Sequence, residues 1–312
     1  MSQVSSLSAP GWLHGHVPGM SLGQVLGSTP CDSLSSMSHV IYLALVGLIG
    51  GTFGSMVGLG GGVFIIPALT LFLGVPIHQA IAASLVAVVA TSTTAAAAYV
   101  RDDLSNMRLG MTMETMTVTG ALVGSLVGVL LSKSVLSAVF GGVMIVVSVY
   151  MGIRQRSAQV PPIDDEDLGT LGASYYDRNL DSAVRYRVRR LPLGMGASFI
   201  AGNVSGLLGV GGGFLKVPAM VLFMGVPVRA AVSTSSFMIG VTACAGSVVY
   251  FARGMVDPVV TVPVVLGVSL GAYVGSRLAL RIRSSVLAIL LSAVLFALSV
   301  QMILSAVGIN VR

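Results

Sequence analysis

Apolar runs separated by short polar turns dominate this chain of 312 residues. Five such segments lie at approximately 39–57, 62–75, 79–99, 111–132 and 134–152, and five more at about 191–208, 213–226, 230–250, 260–282 and 284–307. Most are long enough to span a bilayer, because about 20 helical residues cross a ~30 Å hydrocarbon core. The second of each set is shorter, about 14 residues or about 21 Å of helix, and does not span comfortably.

The two sets are copies. Gly58-Leu59-Gly60-Gly61-Gly62, running on through Pro67 to Gly74-Val75-Pro76, returns as Gly209-Val210-Gly211-Gly212-Gly213, running on through Pro218 to Gly225-Val226-Pro227. The offset is 151 residues (209 − 58). It also aligns Ser84 with Ser235, and Gly120, Gly124 and Ser125 with Gly271, Gly275 and Ser276, without a gap. A fixed offset over distant blocks is the signature of an internal repeat. The chain therefore divides into a tail, 1–38, a first membrane repeat, 39–152, a linker, 153–190, and a second membrane repeat, 191–312.

Composition agrees with a lipid solvent. Only 9% of residues are charged, against about 25% in soluble domains, and the mean hydropathy is +0.93. The 39 glycines suit close helix contact through small-xxx-small spacing, as at Gly120/Gly124/Gly128 and Gly267/Gly271/Gly275. The net charge of +6 reflects Arg between apolar runs rather than a nucleic-acid surface. Cys31 and Cys244 imply no disulfide framework, and Cys244 is expected in the core.

The tail has no Lys or Arg and reads as flexible and extracytoplasmic. It lacks the positive, continuously apolar plan of a signal peptide. Its His14 and His16 read as solvated, so no metal site is expected. The linker carries Arg154, Arg156, Asp164-Asp165-Glu166-Asp167 and then Arg178, Arg185, Arg187, Arg189 and Arg190, and so belongs in the cytoplasm. Within it, Tyr175, Tyr176, Leu180, Val184 and Val188 recur at near-helical spacing, which predicts a surface helix. A tail outside and a linker inside require an odd number of crossings in the first repeat. Five crossings satisfy this, as do three if the first two segments form a re-entrant hairpin. An odd count inserts the second repeat upside down. The expected fold is thus an all-α polytopic membrane protein of two inverted-topology repeats, with broken or re-entrant helices after Gly-rich turns.

Broken backbone at membrane depth is tolerated only inside protein or beside a cavity. A helix that begins there aims free N–H groups and its positive dipole end inward. Glycine leaves room for a ligand against the backbone. The candidate substrate-binding residues are Gly58, Gly60, Gly61, Gly62, Gly209, Gly211, Gly212 and Gly213, with an anion as guest. Lys216 joins them, because an intramembrane cation normally has a partner or a task. No acidic residue lies near it in sequence, so it either holds an anionic substrate or snorkels to an interface. Asn203, Ser84 and Ser235 complete the set. Thr91, Ser92, Thr93 and Thr94, with Ser233, Thr234, Ser236 and Thr242 in the repeat, line the path or bond helix to helix. Glu114 reads as an interfacial carboxylate at a helix N-terminus, with a proton relay as the other possibility. No catalytic motif or nucleotide-binding loop is present, so no enzyme activity and no cofactor are expected. Transport would draw on an ion gradient such as a coupled proton, on a substrate gradient, or on a partner.

The segment Ser205-Gly206-Leu207-Leu208-Gly209-Val210-Gly211-Gly212-Gly213 with Pro218, its partner from Gly54 to Pro67, and the Gly-Val-Pro turns before Ala80 and Ala231 resemble the sulfite exporter TauE/SafE family. The resemblance covers nearly all of the chain except the tail and linker. It implies a carrier that moves sulfite or a small organosulfonate across a prokaryotic plasma membrane, by alternating access and without enzymatic chemistry. An importer of a related anion, an anion channel and a non-transporting membrane scaffold are the competing readings. The oligomeric state is not encoded in any pattern here.

Overall fold

The computed structural model describes residues 30–57, 60–101, 104–153, 170–177, 182–279, 296 and 299–304. Residues 1–39 and 40–312 form two compact units, and of the first only the start of a helix at Pro30 is described. The elements in order are α1 (Pro30–Val57), α2 (Gly62–Pro67), α3 (Ile77–Arg101), α4 (Met107–Leu130), α5 (Lys133–Ile153), β1 (Ala173–Asp177), β2 (Ser182–Tyr186), α6 (Leu191–Leu208), α7 (Gly213–Leu222), α8 (Val228–Ala252) and α9 (Pro258–Ala279). Among the described residues, six helices are long and apolar enough to cross a membrane: α1, α3, α4, α6, α8 and α9. The protein is an all-α membrane protein, with one two-stranded hairpin between its halves.

Element boundaries repeat at the sequence offset. α1 ends at Val57 and α6 at Leu208; α2 begins at Gly62 and α7 at Gly213; α3 begins at Ile77 and α8 at Val228; α4 begins at Met107 and α9 at Pro258, each pair 151 apart (208 − 57). The corners repeat as well. Gly60 and Gly61 have φ of 78° and 80°, and their mates Gly211 and Gly212 have 84° and 71°. Left-handed backbone of this kind is strained for residues with a Cβ. After Pro67 the chain widens into a π turn, Ala68–Phe72. Proline has no N–H to give the helix ladder, and such wide turns occur where the ladder is disturbed.

The glycine ladders seat helix on helix. Gly120 lies against the Phe199 carbonyl, Gly124 against Asn203 and Gly202 against Thr117, which joins α4 to α6. Shifting each partner by the offset gives the second seam: Gly271 lies against Leu48, Gly275 against Thr52 and Gly51 against Val268, joining α9 to α1. Each repeat thus packs its first helix on the other's helix that begins 45 residues after its glycine corner helix, α4 or α9 (107 − 62 and 258 − 213). The reciprocity is that of a self-complementary two-fold interface. Within each repeat the corner makes a tight reversal. Gly54 packs on Gly61 and Gly50 near Ile65 in the first, and Gly212 packs on Ala201 and Ser205 in the second.

Two hydrogen-bonded contacts fix the relation of the matched helices. His78, at the start of α3, lies 3.2 Å from the Leu131 carbonyl at the end of α4. Thr234, near the start of α8, accepts the Asn106 backbone N–H at 3.0 Å, at the start of α4. α3 and α8 therefore begin at opposite ends of α4.

The linker corrects the expectation of a surface helix over 173–190. Residues 173–177 and 182–186 form an antiparallel hairpin, with Tyr175 opposite Val184. Val184 and Tyr186 are buried while Ala183, Arg185 and Arg187 are exposed, the period-two pattern of a half-covered strand. The buried face packs on Leu109, Met113, Met220, Met224 and Ala230. Asn106 ties it down: its amide donates to the Leu171 carbonyl at 2.8 Å and to Tyr186 Oη at 3.2 Å, while its Oδ1 caps α4 through Leu109 N. Burial pushes the Tyr186 hydroxyl up to about 12. Cys244 is a second correction, since it is exposed on an outward helix face rather than in the core.

Candidate functional site

The two glycine corners touch. Gly62 at the start of α2 lies against the Gly209 carbonyl and Val210 of the other corner, and a side chain there would overlap both. Ser84 Oγ on α3 donates to the same Gly209 carbonyl at 2.8 Å, stitching one repeat to the other. Gly60 is enclosed by Val88 and Ile239, and Gly61 by Gly50. Gly211 and Gly213 are buried in the second corner. Gly58 lies outside the described residues. The Cα faces of Gly60, Gly61, Gly62, Gly209 and Gly212 are met by protein, so each works first as a packing position.

Beside Gly60 is a small cavity lined by Gly54, Ser55, Gly60, Thr91, Ser92, Ala95, Ser236 and Ile239. Its volume is about 10 Å³, roughly one water. Of its four Ser and Thr residues three come from the first repeat and Ser236 from the second, and the hydroxyls of Ser55, Thr91 and Ser236 return to their own helix carbonyls. Ser92 Oγ is buried with no hydrogen-bond partner. Buried polar groups are normally satisfied, so an orphan in a cavity wall needs a physical reason. Ser92 also lines a wider, open groove of about 350 Å³ with Thr93, Ala97, Met107, Phe237 and Val241.

Lys216 overturns one of the two sequence expectations about it. It is 0% exposed, so it does not snorkel. It also has an acidic neighbour, 102 residues away in sequence: Nζ lies 3.4 Å from Glu114 Oε2. Glu114 in turn is not interfacial but buried, at 7% exposure. Thr242 bridges them. Lys216 Nζ donates to Thr242 Oγ1 at 2.7 Å, and that hydroxyl donates to Glu114 Oε1 at 2.6 Å, with the Met238 carbonyl also 3.0 Å away. Glu114 comes from the first repeat, Lys216 and Thr242 from the second.

Asn203 is half-buried on α6, and its backbone meets Gly120 and Gly124, which puts it in a helix seam. Ser235 is buried with no partner, although its mate Ser84 is bonded. The corner contact thus brings together Gly62, Gly209 and Ser84, and the triad brings together Lys216, Glu114 and Thr242. Ser55 and the Glu114 pairing were not anticipated. The sequence signal for Ser55 was its place in Gly54-Ser55, the mirror of Ser205-Gly206; no local signal pairs Glu114 with Lys216. Among the described residues no group of three His, Cys, Asp or Glu side chains stands together as a metal site.

Six helices long and apolar enough to cross a bilayer, two broken helices and a buried ion pair define a multi-pass membrane protein. The model of the family Sulfite exporter TauE/SafE matches residues 43–302, and the chain belongs to that family. It is 30% identical over 274 residues to the probable membrane transporter protein YunE of Bacillus subtilis, covering 86% of this chain and 98% of the relative. A second relative from that organism, the probable membrane transporter protein YdhB, is 26% identical, with 77% of this chain and 89% of the relative covered. A probable membrane transporter protein of Methanocaldococcus jannaschii is also 26% identical, over 84% of this chain and 94% of its own length. No solved structure matches the chain.

Proposed function

We infer that the protein is a secondary carrier that exports sulfite or a small organosulfonate by alternating access, with the anion held where the two repeats meet. The observation that supports this reading is the water-sized cavity beside Gly60, lined by Ser and Thr residues of both repeats, which has to widen to admit an anion. Hydroxyl donors and glycine backbone suit an oxyanion, and Lys216 supplies a buried positive charge. Thr91 lines the cavity and its repeat mate Thr242 bonds Lys216, so the two features occupy matching places on α3 and α8. The glycines and Ser84 serve the site by letting the corners meet; Asn203 and Ser235 belong to the surrounding seams.

The inverted arrangement is part of this reading. Its support is that α3 and α8 begin at opposite ends of α4. With the Arg-rich linker in the cytoplasm, the N-terminal tail lies outside the cell membrane, and the second corner enters from the cytoplasmic side. Two halves hinged on a central contact can open alternately to either side. The family's name supplies sulfite and the outward direction.

Reconstituted protein tests the proposal. Vesicles loaded with unlabelled sulfite, thiosulfate or sulfoacetate should drive saturable counterflow of the labelled anion. Large single-channel currents would favour the channel reading, and absence of flux for every anion tried would favour the scaffold.

A further inference from the structure

The triad has properties that a structural ion pair does not require. At the matching positions of the other repeat, Lys216 is replaced by Ile65, Glu114 by Val265 and Thr242 by Thr91. Ile65 is fully buried and Val265 packs against the same apolar core, and there Thr91 merely returns its hydroxyl to the Ala87 carbonyl. The fold therefore closes around this location without charges. A buried ion pair adds little to stability over an apolar pair of similar size. In a membrane protein such charges mark ion and proton pathways.

The geometry is also unfinished as a salt bridge. The Nζ to Oε2 separation of 3.4 Å exceeds the roughly 2.7–2.9 Å of a close charge-assisted bond. The ammonium has three donors, and two acceptors are recorded for it among the described residues. Thr242 joins the two charges in a continuous chain, from Nζ–H through Oγ1–H to the carboxylate. Few other ionisable groups are near. On the helices packed around the pair, the remaining ones are Arg108 on α4, Arg229, Cys244 and Tyr250 on α8, and none on α6 or α7. Arg108, Arg229 and Cys244 are exposed, and the Tyr250 hydroxyl is engaged 3.4 Å from the Leu207 carbonyl.

We propose that Glu114 is the proton-carrying group of the transport cycle: a proton on its carboxylate releases the Lys216 ammonium to the cargo anion, so that one proton and one anion load together. This rests on the carrier reading above. In the unloaded site the ammonium is balanced by the Glu114 carboxylate. In the loaded site the carboxyl group is neutral and the ammonium is balanced by the anion. The buried site has one positive and one negative charge in both states. No bond other than O–H forms, and the proton comes from water on the side to which the site is open. Because Glu114 and Lys216 belong to different repeats, exchange of the acid for the cargo also loosens a bond between the two halves. The proton and the anion then cross in the same direction, so export proceeds when the outward anion gradient exceeds the inward proton gradient.

The test has two arms on purified full-length protein. In the first, binding of methanesulfonate, which carries a single negative charge, is titrated against pH. The wild type should bind about tenfold more tightly for each unit of acidification and take up a proton per anion bound. Glu114→Gln should bind tightly with no pH slope and no proton uptake. An unchanged slope in Glu114→Gln overturns the proposal. The second arm needs no cargo and so stands even if the carrier reading fails. Acid–base infrared difference spectra of the reconstituted protein should show a protonated carboxyl band that is lost in Glu114→Gln. A wild type with no such band, or a variant that keeps it, overturns the proposal. Should Glu114→Gln fold poorly, Glu114→Val with Lys216→Ile copies the arrangement of the first repeat and should fold, lack the band and lose methanesulfonate binding.

Discussion

The two repeats share their element boundaries at a fixed offset and differ in their chemistry. Both turn a corner through consecutive left-handed glycines, both follow it with a short proline-containing helix, and both seat that unit on the other through small residues. Around Thr91 the first repeat is apolar, with hydroxyls on a small cavity. Around Thr242 the second is charged, filled by Lys216 and Glu114. Backbone geometry is thus held by symmetry, because each corner is the other's packing surface. Side-chain chemistry is released from symmetry, because one guest needs one set of ligands. The shared features should govern folding and the unshared ones function.

The largest effect expected from breaking this comparison is at a shared glycine. Gly124→Leu puts a side chain into the Asn203 backbone. Close seams of this kind have no room to repack, and a clash with backbone is not relieved by a rotamer change, so the variant should not fold; loss of monodisperse, folded protein in detergent is the readout. Next is an unshared residue. Lys216→Ala leaves Glu114 buried without its charge partner, which should cost about 3–5 kcal/mol. Replacing the pair together, Lys216→Ile with Glu114→Val, should fall close to the wild type in thermal unfolding. A double variant as unstable as the single one would show that the second repeat needs its charges to fold.

Smaller effects are expected at the orphaned hydroxyls. Ser92→Ala removes a buried unsatisfied oxygen, which should raise stability by up to about 1–3 kcal/mol while lowering the rate of anion counterflow. Ser84→Ala breaks the bond to Gly209 and should cost about 1 kcal/mol with both corners intact. The smallest effect is in the linker hairpin. Burial raises the Tyr186 hydroxyl from 10.0 to about 12. Its folded value exceeds the unfolded one, so its contribution is complete below pH 10 and falls as pH rises towards about 12. Calorimetric melting should show that alkaline loss in the wild type and not in Tyr186→Phe.

Much of the fold was legible because the repeat offset and the apolar segment lengths are properties of the chain itself. The left-handed corners could be foreseen because glycine alone tolerates that backbone cheaply. The linker was misread for a definite reason. Val184, Tyr186 and Val188 alternate with Arg185, Arg187 and Arg189, a strand pattern that competes with the looser helical spacing of Tyr175, Leu180, Val184 and Val188. The Glu114–Lys216 pair was out of reach, since hydropathy places helices in a membrane without saying which faces meet. Cys244 failed in the same way, because in lipid an apolar helix face can point outward as readily as inward.

The central claim is that the two corners enter the membrane from opposite sides and meet. Cysteine labelling in intact cells tests it most directly. His78 and Arg229 hold the same position in the two repeats. In a background with Cys31 and Cys244 changed to Ser, His78→Cys should react with a membrane-impermeant maleimide added outside, and Arg229→Cys should react only after the cells are opened. Labelling of both variants from the same side would contradict the account.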